Sequence, residues 1–227
     1  NVTSALKLPE HEARMIVSVD MRRMNKIVWV NEQNQTACVE AGILGSELEK
    51  QLLTKGYVIG HQPDSVEFST LGGWISTNAS GMKKNKYGNI DDIVETVYMI
   101  TPGGLLAQTE GLCRTSMGIK PQAALFGSEG NLGLITKAVI KIHKAPEAMA
   151  YESLVFKNFT TGVSFLKELS KTNYVPASIR LVDNFQLQFG QVFKDDASGV
   201  KAWISKLTVW VLKYVKRFAL DQLALAT

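Results

Sequence analysis

Apolar residues alternating with polar ones predict strands at Met15–Asp20, Lys26–Asn31 and Thr36–Ala41, joined by short polar turns. Leu44, Leu48 and Leu52 recur at helical spacing, which predicts a helix over Ser46–Lys55 stopped by Gly56. Ile93–Thr101 and Leu105–Gln108 flank Pro102-Gly103-Gly104 and read as a hairpin. Leu134–Ile142 reads as a strand with Leu134, Thr136, Ala138, Ile140 and Ile142 on one face. Lys144-Ala145-Pro146 then breaks the pattern and sets a domain boundary, 1–145 against 146–227. The second region opens with a strand at Tyr151–Phe156 and a helix at Thr160–Lys171, striped by Val163, Leu166 and Leu169. A strand at Ala177–Val182 follows, and the mixture as a whole predicts an α+β fold.

Two stretches fit neither period. The first, His61–Gly88, carries Gly72, Gly73, Gly81 and Gly88 among Ser65, Ser69, Thr70, Ser76, Thr77 and Ser80. Glycine permits turns and close backbone approach, while small hydroxyls and free amides donate to anionic oxygens. Phe68, Leu71, Trp74, Ile75 and Met82 are threaded through the run, so a floppy linker is a poor description. The second, Leu125–Thr136, spaces Gly127, Gly130 and Gly133 evenly and runs straight into a strand. Neither is a GxGxxG opening a helix, nor a GxxxxGK[ST] phosphate loop. Two such loops suit one extended, phosphate-bearing ligand gripped at two points.

With 227 residues and 45% hydrophobic content, the chain can bury a sizeable core in one or two domains. Its net charge of +4 suits anionic ligands, but the basic residues are scattered and no nucleic-acid motif is present. Cys38 and Cys113 have no metal-ligand spacing, so we expect neither a disulfide scaffold nor a metal site. In Trp203–Ala226, Lys206, Lys213, Lys216 and Arg217, with Lys201 just before them, interrupt the apolar residues, which excludes a spanning helix. Two readings stand for it: a basic amphipathic helix making peripheral contact with an anionic membrane, or a helix packed on its own domain. We prefer the second, because most apolar stripes are core.

The run PDS-x-x-FST-x-GGW-x-ST-x-ASG followed by GSEG-x-LG-x-IT resembles the FAD-binding domain of the vanillyl-alcohol-oxidase/p-cresol-methylhydroxylase (PCMH) type. His61-Gln-Pro-Asp-Ser, Met82-Lys-Lys-Asn and Ser178-Ile-Arg-Leu resemble more narrowly the alkyldihydroxyacetone-phosphate synthase (alkylglycerone-phosphate synthase) family of ether-lipid synthesis. The resemblance implies a PCMH-type FAD domain over 1–145 and the start of a cap domain over 146–227. It also implies that an upstream glycine loop has left only its tail, Asn1–Ala5, so the chain reads as an internal portion, inactive by itself. Gln62 and Asn78 stand where the family has a glutamate and an arginine.

Carried over residue by residue, the resemblance places FAD against Asp64, Ser65, Val66, Glu67, Phe68, Ser69 and Thr70. Thr77, Asn78, Ala79 and Ser80 join them, as do Glu129, Gly130, Asn131, Leu132, Gly133, Leu134 and Ile135. Thr70 is the individual cofactor residue we weight most. His61 and Arg180 match active-site residues, with a salt bridge to Asp183 as the structural alternative for Arg180. The implied reaction exchanges the acyl group of acyl-dihydroxyacetone phosphate for a long-chain fatty alcohol, FAD holding the substrate through N5 without net redox change. Implied too are a homodimer and a peroxisomal location. The alternatives are a flavin-dependent hydroxy-acid oxidase or dehydrogenase of the same fold, and a non-catalytic remnant.

Overall fold

A computed structural model describes residues 11, 13–15, 17–107, 116 and 121–192. The expectations for Asn1–Ala5 and Trp203–Ala226 lie outside the described residues. Two compact units are present, Asn1–Ile179 and Arg180–Thr227. The break at Lys144–Pro146 falls inside the first.

In chain order the first unit has β1 (Ile27–Asn31), β2 (Thr36–Glu40), α1 (Gly45–Leu53), β3 (Tyr57–Val58) and α2 (Leu71–Ser76). Then come α3 (Lys84–Tyr87), α4 (Ile90–Ile93), β4 (Val94–Thr101), β5 (Gly104–Leu106), β6 (Leu134–Lys141), β7 (His143–Lys144) and α5 (Phe159–Leu169). The second unit contributes α6 (Asn184–Val192). The strands form an antiparallel sheet in the order β1-β2-β6-β4-β5 and a small β3-β7 pair.

Period-two alternation decides the sheet's faces. Ala37 and Val39 of β2 join Val97, Met99, Ala138 and Ile140 in the main core, with Leu48, Leu52, Leu71, Trp74 and Ile75 from the helices. Cys38, Tyr98 and Val139 turn to the opposite face beside Trp29. Bulges interrupt the rule. Thr136 is an extra residue between the pairs Tyr98–Lys137 and Met99–Ile135, and Glu95 is another between Val94–Ile140 and Thr96–Val139. The Thr136 bulge turns the alternation over: Ile135 is 5% exposed and Leu134 38%. The strict pattern that placed Leu134 with Ala138 and Ile140 is corrected by that extra residue.

Other expectations change where partners are missing. The described residues of Met15–Asp20 are irregular and exposed, as are Tyr151–Phe156 and Ala177–Val182 apart from half-buried Phe156, Ala177 and Leu181. A strand exists only if another satisfies its backbone groups, and none of the described strands pairs with these. The helices and the hairpin keep their places with shifted ends. The glycine-rich run is not a continuous loop, because α2 is folded into it.

Candidate functional site

Thr70 begins the arrangement. Its backbone is extended, and its Oγ1 accepts from the Gly73 amide at 3.2 Å, so it is the N-cap of α2. The next two amides are also taken: Leu71 N donates to Ile43 O and Gly72 N to Ala41 O. The start of α2 is thus tied into the strand-to-α1 connection. As an acceptor in its cap, the Thr70 hydroxyl keeps its own proton for another partner.

The neighbouring hydroxyls hold the loops in shape. Ser69 Oγ donates to Ser65 O at 2.7 Å and accepts from Trp74 Nε1 at 2.7 Å. Thr77 Oγ1 donates to Gly73 O, and Ser80 Oγ to Asn89 Oδ1. Val66 N to Pro63 O and Phe68 N to Ser65 O close the Asp64–Thr70 turn, leaving Asp64, Ser65, Glu67 and Phe68 exposed and Val66 half-buried.

The second glycine run docks on the end of α2. Gly127 N donates to Ile75 O and Glu129 N to Ser76 O at 2.9 Å. Asn78, Gly127, Glu129 and Gly130 all have left-handed backbones, with φ of 49°, 75°, 47° and 83°. In Glu129 that conformation costs about 1–2 kcal/mol, which is typical of functional loops. Asn131 and Leu132 are exposed, and Gly133 lies so close to β4 that a Cβ would sit 2.3 Å from Ile100 O. The structure therefore brings Thr77–Ser80 and Glu129–Ile135 together, with Asp64–Thr70 at the other end of α2. Motif reading missed Ser128, whose buried Oγ has no hydrogen-bond partner among the described residues. Its place inside GSEG was the only signal.

His61 is 3% exposed, and neither ring nitrogen has a partner among the described residues. Its ring meets the edge of Trp74 with centroids 4.9 Å apart. Burial pushes its pKa down to about 4, so the ring is neutral at physiological pH. His61 borders a cleft of about 590 Å³ that Glu49, Lys50, Gln62, Val66 and Lys83 also line. Arg180 belongs to the second unit and is exposed on irregular chain rather than mid-strand. Asp183 is not paired with it. That carboxylate accepts from Gln186 N at 2.7 Å at the start of α6, and the ion pairs among the described residues are Arg22–Asp20 and Lys171–Glu168. No metal-ligand cluster and no helix long and apolar enough to cross a membrane occur among the described residues.

The model of the FAD-binding domain family matches residues 4–110, which contain the capped α2 and the first glycine run. The chain is 43% identical to the alkyldihydroxyacetonephosphate synthase of Caenorhabditis elegans, over 100% of this chain and 38% of that protein. Against the synthase of Dictyostelium discoideum it is 39% identical, over 100% of this chain and 37% of that one. A solved structure of an alkyldihydroxyacetonephosphate synthase superposes with a TM-score of 0.74 and 37% identity, covering 90% of this chain and 38% of that one. The chain spans a little over a third of the length of these relatives.

The residues present fit a flavin dinucleotide. Two loops converge with left-handed, exposed backbones, as close approach to a large ligand requires. Thr70 has a hydroxyl proton to give, and Ser128 a buried hydroxyl without a partner among the described residues.

Proposed function

We propose that the protein acts as an alkyldihydroxyacetonephosphate synthase, exchanging the acyl chain of acyl-dihydroxyacetone phosphate for a fatty alcohol with FAD as cofactor. The observation that carries this reading is similarity over the whole chain, second glycine run included, at 43% and 39% identity. On this reading Asp64–Thr70, Thr77–Ser80 and Glu129–Ile135 hold the dinucleotide. Backbone amides and the Thr70 hydroxyl orient it, while Val66, Leu132 and Leu134 supply apolar contact and core-buried Ile135 supports the loop. When bound, FAD supplies a ring that accepts and returns an electron pair, so exchange leaves no net redox change.

The chain's own residues do the rest. Neutral His61 has one lone pair and one N–H, and a depressed pKa suits it to release a proton readily after taking one. Arg180 presents a planar cation to a phosphate or a developing anion. The same reading carries a cap domain beginning near residue 146, a homodimer and a peroxisomal setting, all on the family resemblance. The test is to purify the full-length protein that contains this chain, titrate FAD, and follow a labelled fatty alcohol into acyl-dihydroxyacetone phosphate. Alcohol incorporation with release of fatty acid is expected. Flavin binding accompanied by dye reduction with a hydroxy acid, and no exchange, would overturn the reading.

A further inference from the structure

We propose that Trp74 is a positioning residue that couples the Asp64–Thr70 loop to the His61 imidazole. The coupling is a chain of contacts inside the first unit. Ser65 O receives Ser69 Oγ, and Ser69 Oγ receives Trp74 Nε1, both at 2.7 Å. The indole then meets the His61 ring with centroids 4.9 Å apart and planes at 66°. The indole is also closely approached by Gly45. A Cβ on Gly45 would sit 2.4 Å from Trp74 Cζ2. His61 is equally confined, since a Cβ on Gly81 would sit 2.9 Å from its Nδ1. Met82 N donates to Gln62 O at 2.9 Å and ties Gly81 into that position.

Two consequences follow from the chemistry. The His61 ring nitrogens take no hydrogen bond from the described residues, so among those residues it is packing that sets the ring's orientation. Trp74 supplies an aromatic ring to that packing, and the Ser69 hydroxyl holds its indole N–H. A change in the Asp64–Thr70 turn therefore reaches the imidazole as a rotation of the indole. Glu49, Lys50 and Lys83 are the charged groups lining the cleft beside His61, and none belongs to this chain of contacts.

The catalytic consequence rests on the proposed function, while the coupling itself does not. With three histidines in the chain, ring NMR signals can be assigned using His11→Gln and His143→Gln. The His61 titration is expected near pH 4 in the unaltered protein. In Trp74→Leu it should move toward the ordinary 6.5. Ser69→Ala and Trp74→Phe, which both delete the hydroxyl–indole bond, should give matching smaller shifts. Lys167→Met, on exposed α5, should give none. Unchanged His61 titration and ring shifts in Ser69→Ala and Trp74→Phe overturn the proposal, even if Trp74→Leu fails to fold. In the flavin-loaded protein, Trp74→Phe should lower kcat about tenfold, with flavin content and KM for the alcohol unchanged. Moved titrations with full turnover would support the coupling and sink the catalytic reading of His61.

Discussion

Residues 27–145 and residues 146–192 have comparable apolar content but use it differently. In the first region Ala37, Val39, Leu48, Ile75 and Ile140 are fully buried. In the second, Tyr151 is 85% exposed, Val155 72% and Phe185 73%, and Gly162 is the one buried residue of α5. Local pattern is sound in both. The difference is that β2 and β6 find each other, whereas the strands expected at Tyr151–Phe156 and Ala177–Val182 find no partner among the described strands. Periodicity states which face a strand would bury; it does not supply the surface that buries it.

The comparison predicts unequal mutational costs. Ile140→Ala removes a fully buried side chain between β2 and β4 and should cost about 2–5 kcal/mol. Val155→Ala should stay within about 0.5 kcal/mol. Urea unfolding of both variants checks this, and equal losses would erase the contrast.

The buried region should also carry a pH dependence through His61. Its folded pKa lies below its unfolded one, so the unfolded chain takes up the proton first as pH falls. Stability from this group is complete above about 6.5 and is lost progressively down to about 4, by roughly 3 kcal/mol in all. His61→Gln should flatten that window in denaturation measured from pH 7 to pH 4. A slope that survives the substitution would assign the effect elsewhere.

Thr70→Ile removes the N-cap of α2 and should cost about 1 kcal/mol by thermal or urea unfolding. On the proposed function it also lowers flavin content, since the one hydroxyl proton left free in the cap is gone. Full flavin occupancy with the expected loss of stability would leave Thr70 as a cap alone. The smallest stability effect belongs to exposed Arg180. Arg180→Lys should change unfolding by no more than a few tenths of a kcal/mol, and on the proposed function it should collapse turnover of the full-length protein while flavin stays bound. Near-normal turnover would remove the anion-binding role.

The helix expected over Ser46–Lys55, the strands β1 and β2 and the hairpin around Pro102-Gly103 were legible because each rests on local periodicity or turn chemistry. The glycine motifs located the two loops, and the hydrogen bonds from Gly127 and Glu129 to the end of α2 bring those loops together. Three things were not legible. The Thr136 bulge depends on the register β4 imposes, which no single strand encodes. Helix α2 was hidden because Gly72 and Gly73 argue against a helix. It forms because Thr70 caps it, and because Leu71, Trp74 and Ile75 point into the core. The isolation of the His61 ring nitrogens arises from Trp74, Gly81 and the chain around Gln62, which come together only in three dimensions.

The place of β6 in the sheet has a consequence for how the molecule is made. β6 lies between β2 and β4, so Thr36 pairs with Lys141 and Val94 with Ile140. Two hairpins, β1-β2 and β4-β5, therefore emerge from the ribosome first, each with an unpaired inner edge. Neither can join the other until the chain through Lys141 has been synthesised. Pairing over such sequence distances is slow, and waiting edges invite association with other chains. Ribosome-bound chains arrested before Leu134 should be readily cut by protease and captured by chaperones, and those arrested well beyond Lys144 should resist both. Because the central strand β6 is made after both hairpins, the sheet assembles in a single event once that strand has emerged.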